Sequence, residues 1–554
     1  MADDSDLDRP LVVNDVGVSK QSSDSFAITA ALIAALGAFN FGITLAYTSP
    51  SLLPMEVSDK SGVFNSDMSA EESGGTVTIS TENGALFSSI LNIGAMLGSV
   101  LGGIINNKIG RKWTLLTVAV PFAASWFWMA LSEDVLNITL GRFFTGVCSG
   151  TFTVTVPIYI AEISPVAIRG TLGALTQLMV TFGIFMTAVL GLVFETKQKT
   201  TLKCGGGEFS WDDEYDGDIT SCQDIVSDWT CTVSEDGDST TLGVCEGDMS
   251  SWRNLAYAGA VGCAALFILM LGMPESPAFL HANGHLDAAR KALQRLRGAG
   301  ADVEGELVAL ANAGAENEDV DEFNMSDKEA GEKKPLLTAL WESRKAVMIG
   351  FTLMIGQQLA GINAVMFYCS SILSMAGMSN QNLGTVIVFA VQFVMTGVAC
   401  MLMDRLGRKM LMIISTSGMT VFCLTLSFFF FNDKEPSALA LISLIGYIAF
   451  FSLGFGPVPY LVMSELFPLE VRETGCSIAM LTNWMGAFMV TECFASLVLA
   501  ISAQGAFLLF AVICALSLAF VVFIMPETKG KSLEQIQDEL HGRTHVPLRT
   551  SMSA

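Results

Sequence analysis

The stretch Asn106-Asn107-Lys108-Ile109-Gly110-Arg111-Lys112 interrupts apolar sequence in the first half of this 554-residue chain, and Asp404-Arg405-Leu406-Gly407-Arg408-Lys409 interrupts it again in the second. Two apolar runs after each shared Gly-Arg-Lys core comes a Glu and, seven residues on, an Arg: Glu162 and Arg169, then Glu465 and Arg472. Each half ends in a similar tripeptide, Pro274-Glu275-Ser276 and Pro526-Glu527-Thr528. Loop chemistry repeated in register marks two copies of one helical bundle, the layout of a carrier that opens alternately to the two sides of a membrane.

Composition agrees. Hydrophobic residues make up 51% of the chain, charged residues only 15%, and the mean hydropathy is +0.52. A bilayer crossing takes about 20 apolar residues. Twelve runs qualify, over 26–49, 83–105, 114–132, 137–159, 173–194, 253–273, 346–371, 383–403, 410–431, 438–463, 475–499 and 505–525. The expected fold is an all-α membrane protein: twelve transmembrane helices in two pseudo-symmetric six-helix bundles with a cytoplasmic helical insert. The domains read as a tail (1–25), a first bundle (26–273), the insert (274–345), a second bundle (346–525) and a final tail (526–554).

Basic residues orient the spans. With the amino terminus inside, the outer loops hold only Lys60, Lys197, Lys199, Lys203, Arg253 and Lys434, and Arg142 lies within span 4; the rest of the 30 Lys and Arg are cytoplasmic. This bias places both termini and both Gly-Arg-Lys turns in the cytoplasm. The net charge of −24 argues against a nucleic-acid partner. The first 25 residues are polar and acidic, so no cleavable signal is expected and span 1 inserts the chain. The address, plasma membrane or an internal vacuolar or lysosomal one, is left open.

Two loops stand out. In the insert, Leu286–Leu296, with Arg290, Lys291 and Arg295, reads as a short amphipathic helix. The outer loop 195–252 is acidic and holds Cys204, Cys222, Cys231 and Cys245. Four cysteines in one loop of an oxidising compartment point to two disulfides, with three possible pairings.

Polar side chains inside the spans indicate the cargo. Gln177 lies in span 5, Gln357, Gln358 and Asn363 in span 7 with Tyr368 beyond, Gln392 in span 8, and Asn483 and Trp484 in span 11. An amide in hydrocarbon is costly unless it faces a cavity or a partner. Amides both donate and accept, which suits a neutral ligand with many hydroxyls. For a single amide, a helix–helix hydrogen bond worth about 0.6 kcal/mol is the simpler account; three on one span favour a site. Charged groups are almost absent near mid-depth, so a charged cargo would lack its counter-charge.

These residues carry a resemblance. Gly141-Arg142-Phe143, Pro157-Ile158-Tyr159-Ile160-Ala161-Glu162, Arg169-Gly170, Pro274-Glu275-Ser276-Pro277, Gln357-Gln358-Leu359-Ala360-Gly361-Ile362-Asn363, Gly456-Pro457-Val458-Pro459 and Pro526-Glu527-Thr528-Lys529-Gly530 resemble a sugar porter of the major facilitator superfamily. Phe41-Gly42, Ser49-Pro50, Ser464-Glu465-Leu466-Phe467-Pro468 and Thr482-Asn483-Trp484 are most similar to hexose facilitators of the intracellular animal type and their plant vacuolar relatives. The resemblance implies transport of a neutral monosaccharide by alternating access, with no cofactor and no metal, by a protein functional as a monomer whose partners are the sugar and the bilayer. It implies that Gln177, Gln357, Gln358, Asn363, Gln392 and Asn483 contact sugar hydroxyls, that Trp484 contacts the ring, and that Tyr368 forms an outer gate. Arg111, Glu162, Arg169, Arg408, Glu465 and Arg472, with Arg142, match a cytoplasmic ion-pair network that closes the inner side. Departures are Asn107-Lys108 where Asp-Arg is usual, Ala278 for Arg, Tyr460 for Trp and Ser452 for an acidic residue.

Enzyme chemistry lacks parts: the four His (His281, His285, His541, His545) lie outside the spans, and no nucleophile elbow or phosphate loop is present. A transporter-like sugar sensor would need a longer tail than the one after Pro526. In sugar–proton symporters of the family, the carboxylate is an Asp three residues after the Phe of the Phe-Gly pair. Here that position is Thr44, which implies facilitated diffusion. The alternative carrier of a proton is Glu492, expected toward the outer end of span 11, in contact with water.

Overall fold

The computed structural model describes residues 25–52, 81–165, 168–203, 230–234, 242–250, 252–298, 303–308, 343–378, 380–432, 437–467 and 469–529, with a few single positions besides; of the strands only the backbone is described. Eleven described helices are long and apolar enough to cross a membrane, and the last of them, Thr474–Phe523, is 50 residues long. That is twice a bilayer crossing. Ser502, with φ 64° and ψ 165°, breaks it into spans 11 and 12.

Spans 1 to 6 are Ser25–Leu52, Thr81–Ile109, Arg111–Leu131, Val135–Ile163, Arg169–Val193 and Trp252–Leu271. Span 7 comes in three pieces: Arg344–Leu359, Ile362–Phe367 and Cys369–Met375. Span 8 is Gln381–Leu406, span 9 Arg408–Phe431, and span 10 two pieces, Ser437–Leu453 and Val458–Leu466. The apolar runs of the sequence thus appear as helices.

Small residues set the packing within the first bundle. A Cβ on Gly98 would sit 2.0 Å from the Val147 carbonyl oxygen, and one on Gly150 2.2 Å from that of Ala95, so spans 2 and 4 touch backbone to backbone. Without a hydrophobic drive between helices in lipid, such close van der Waals contact holds them together. Between the halves, span 2 packs on span 11 and span 5 on span 8. Phe393 of span 8 stacks near Phe182 (5.3 Å) and Phe185 (6.3 Å) of span 5.

The insert carries helices Pro277–Ala282 and Leu286–Arg297, the second where amphipathic periodicity predicts it. Buried Arg297 docks it, pairing with Glu306 (2.6 Å) and donating to the Ile163 carbonyl at the end of span 4 (2.9 Å).

The sequence reading gave no regular structure to 195–252. The structure adds a small antiparallel sheet there: β1 (Glu195–Lys203), β2 (Thr230–Ser234) and β3 (Leu242–Ser250), in the order β1-β3-β2. Spans 5 and 6 bring Glu195 and Ser250 together as the first pair of the ladder. Thr-rich stretches such as Thr230-Cys231-Thr232-Val233 favour the extended state. The two ends of the molecule are named below by what they carry: the turn end, with Gly110 and Gly407, and the sheet end.

Candidate functional site

At the turn end the repeated motifs meet. Gly110 and Gly407 have φ of +92° and +86°, a left-handed-side conformation that Gly adopts without a Cβ clash. Each starts a helix whose first free N–H groups need acceptors. Glu275 supplies one carboxylate, accepting from the N–H of Arg111 (3.0 Å) and Lys112 (2.9 Å). Glu527 repeats this in the second bundle, with Arg408 (3.0 Å) and Lys409 (3.1 Å). Burial works to raise the Glu527 pKa, but N–H donors from Lys529, Arg408, Lys409 and Thr528 outweigh it and hold the carboxyl below its ordinary value. The Pro-Glu tripeptide and the Gly-Arg-Lys turn are therefore one motif in space.

The ion pairs lie beside these caps. Arg111 donates to Glu162 through Nη2 (2.9 Å) and Nε (3.2 Å), and Ser276 Oγ holds the other Glu162 oxygen at 2.5 Å. In the second bundle Arg408 Nη2 reaches Glu465 at 2.9 Å, while Arg408 Nε, Glu465 Oε2 and Thr528 Oγ1 are buried without a bonding partner. Both pairs are internal to one bundle. Arg169 is exposed at the start of span 5, and the Arg472 side chain lies outside the described residues.

Arg142 does not join this network, which corrects the expectation. It sits near the start of span 4 and Glu162 at its end, 20 residues and about 30 Å along the helix axis. Its fully buried guanidinium donates to Thr48 Oγ1 (2.6 Å) and lies over the rings of Tyr47 (5.3 Å) and Phe87 (5.5 Å). Thr44 instead bonds to the Asn40 carbonyl of its own helix.

The amides converge where two helices unwind. Gly361, at φ +92°, breaks span 7, and a Cβ there would lie 2.6 Å from the Phe510 ring. Tyr447 Oη donates to the Ala360 carbonyl freed by the break (3.0 Å). The reversal lets Asn363 Nδ2 donate back to Gln358 Oε1 (2.6 Å). Gln358 Nε2 in turn faces Gln357 Oε1 (3.4 Å), which also accepts from Asn483 Nδ2 (2.8 Å). Tyr460 Oη donates to Asn483 Oδ1 (3.3 Å). A continuous ladder thus runs Asn363–Gln358–Gln357–Asn483–Tyr460 across spans 7, 11 and 10.

Gln357 has a second task. Its Nε2 donates to the carbonyls of Phe455 (2.6 Å) and Gly456 (3.0 Å), the backbone left bare where span 10 unwinds before Pro457. Both of its N–H groups are therefore used. Trp484 sits next on span 11, edge-on to Phe41 at 6.0 Å, with a buried Nε1 lacking a partner. Gln392 is buried on span 8 with Oε1 equally unpartnered. Gln177 is exposed on span 5 and is not part of the ladder. Tyr368 is buried at the second break of span 7, donating to the Thr491 carbonyl (3.2 Å) and packing on Phe494.

Bonds between the bundles occur at the sheet end. Ser49 Oγ lies 3.1 Å from Ser370 Oγ, which also meets Thr385 Oγ1 at 3.0 Å. Ser89 Oγ donates to Glu492 Oε2 at 2.5 Å. Glu492 was expected to meet water; it is half-buried against the opposite bundle because spans 2 and 11 pack together. Ser89, Ser370, Tyr447 and Thr48 escaped the sequence reading, since single hydroxyls in apolar runs carry no spacing signal, and Ser49 entered it only through the Ser49-Pro50 pair. Tyr460 was visible only as a departure from the usual Trp.

The two bundles carry the same caps, and the uncharged polar ladder lies inside the second of them. The profile of the family described as "Sugar (and other) transporter" matches residues 30–207 and 238–540, and the chain belongs to this sugar porter family of the major facilitator superfamily. It is 33% identical over 523 residues to the facilitated trehalose transporter Tret1 of Aedes aegypti, covering 93% of this chain and 55% of that protein, so it spans about half the length of that relative. The proteins of the same name from Culex quinquefasciatus and Bombyx mori are each 32% identical, with 86% of their length covered. In fold the chain is similar to the inward-open xylose transporter XylE from E. coli (TM-score 0.66, 23% identity, 93% of this chain and 99% of that one).

Proposed function

We propose that the protein carries a neutral sugar across a membrane by facilitated diffusion, with the amide ladder as its binding surface. The observation that supports this most directly is the ladder's chemistry: three amides of span 7, one of span 11 and the Tyr460 phenol, without a carboxylate or cation among them. Sugar hydroxyls can exchange for these mutual bonds one for one. The unpartnered Trp484 Nε1 and Gln392 Oε1 offer one further donor and one further acceptor.

Glucose follows from the resemblance in sequence; the named relatives make the disaccharide trehalose the second substrate to try. Facilitated diffusion is read from Thr44 in place of a carboxylate and from Arg142 being met by the Thr48 hydroxyl, so among the described residues no carboxylate pairs with Arg142. In this reading the turn end and both termini are cytoplasmic, the sheet end faces outward or into an organelle, the protein works as a monomer, and the loop cysteines form two disulfides.

The test is uptake of labelled glucose and of labelled trehalose into vesicles containing the purified protein. Equilibration of either sugar, with no accumulation when a proton gradient is imposed, is the expected result. No uptake of any neutral sugar would overturn the reading, and accumulation abolished by a protonophore would replace it with proton symport and single out Glu492.

A further inference from the structure

Three cysteine pairings are open in the loop between spans 5 and 6, and the backbone ladder selects one bond. Nine consecutive pairs, from Glu195↔Ser250 to Lys203↔Leu242, tie β3 to β1. On its other edge β3 pairs with β2 over five positions, and the middle ones include Cys231↔Cys245. Directly opposite residues of an antiparallel pair have Cα atoms about 4.5 or 5.5 Å apart, depending on the type of pair. Both values fall within the roughly 4.4–6.8 Å that a disulfide spans. They also lie on the same face of the sheet, because the side-chain period is two on both strands.

We propose that Cys231 and Cys245 form a cross-strand disulfide that staples β2 to the central strand. The proposal rests on the orientation given above, in which this loop matures in an oxidising compartment. The two thiols lose two protons and two electrons as the sulfur–sulfur bond forms. The electrons pass to the disulfide of a thiol–disulfide oxidoreductase of the secretory compartment, which becomes a dithiol. The bond fixes the register of β2, a five-residue edge strand paired along one side. It also distinguishes this pair chemically from Cys148, Cys263, Cys369 and the other thiols that lie within the spans.

The experiment is peptide mapping of the full-length protein, purified from cells after free thiols are blocked, digested without reduction and read by mass spectrometry. The expected product is a linked peptide pair containing Cys231 and Cys245, lighter by two hydrogens than the sum of its parts and separating on reduction. Linkage of either residue to Cys204 or Cys222, or blocked free thiols at both, in protein whose loop is outside would overturn the proposal. An epitope placed within 235–241 and probed on intact and permeabilised cells reports the side independently. Should the loop prove cytoplasmic, the orientation fails, and diamide oxidation of the unblocked purified protein still decides the pairing: Cys231–Cys245 as the main product supports the register, and any other main product refutes it.

Discussion

Ser89 Oγ in span 2 donates to Glu492 Oε2 in span 11 at 2.5 Å, joining the two bundles across a sequence separation of 403 residues. With Ser49 and Ser370, it closes the sheet end, whereas the Arg111–Glu162 and Arg408–Glu465 pairs at the turn end each stay inside one bundle. On the proposed transport function, opening at the sheet end requires the first set of bonds to break. A hydrogen bond to a charged group contributes about 1.5–3 kcal/mol. Ser89→Ala should therefore shift the population about tenfold or more toward opening at the sheet end. Labelling of a reporter cysteine near Ser49 should rise correspondingly; unchanged labelling would mean that the contact is incidental.

Gln357 and Gln358 are neighbours with different expected phenotypes. Gln358→Ala removes an exchangeable amide and should weaken sugar binding about tenfold with normal folding. Gln357→Ala also strips the Phe455 and Gly456 carbonyls of their donor. It should lower the melting temperature as well as the affinity, which thermal unfolding with and without sugar separates.

The two ion pairs should differ in strength. Glu162 is held by two donors of Arg111 and by Ser276, Glu465 by one donor of Arg408. A double-mutant cycle should give the larger coupling for Arg111–Glu162, measured by unfolding in detergent. Equal couplings would show that the unpartnered Glu465 oxygen finds water.

Gly361→Ala places a methyl within 2.6 Å of the Phe510 ring at a φ of +92°. Strain of about 1–3 kcal/mol at such a position should appear as poor yield or lowered melting temperature. Tyr447→Phe, which leaves the Ala360 carbonyl unpaired, should act in the same direction but less strongly.

Glu527 has a lowered carboxyl pKa, so its share of stability is complete above the ordinary value of 4.5 and is lost as pH falls through the lowered one. The difference in melting temperature between the parent and Glu527→Gln should be largest near neutral pH and shrink in acid. A difference that grows in acid would reverse the assignment.

Much of this was legible in the sequence because membrane crossing imposes length and apolarity, and the repeated Gly-Arg-Lys, Glu and Pro-Glu signals fixed the two-bundle layout. The amides of span 7 were legible because such groups are rare in hydrocarbon. Their division of labour was not: that Gln357 props up span 10 depends on where a distant helix unwinds. Arg142 was misplaced because its motif suggested the ion-pair network, while its depth on span 4 put it some 20 residues from Glu162. The sheet after span 5 was missed because its strands are polar and carry no clean alternation, and Cys204 and Cys222 lie outside the described residues.

Glu275 and Glu527 each stand at the chain end of a bundle and grip the turn between its second and third spans. Each half is thus stapled shut upon itself, with its last segment returned to the turn between its own second and third spans. Such a unit has no need of the other half to complete its termini. Two polypeptides divided after the docked part of the insert, beyond Glu306, and made together in one cell should assemble and, on the proposed function, take up sugar.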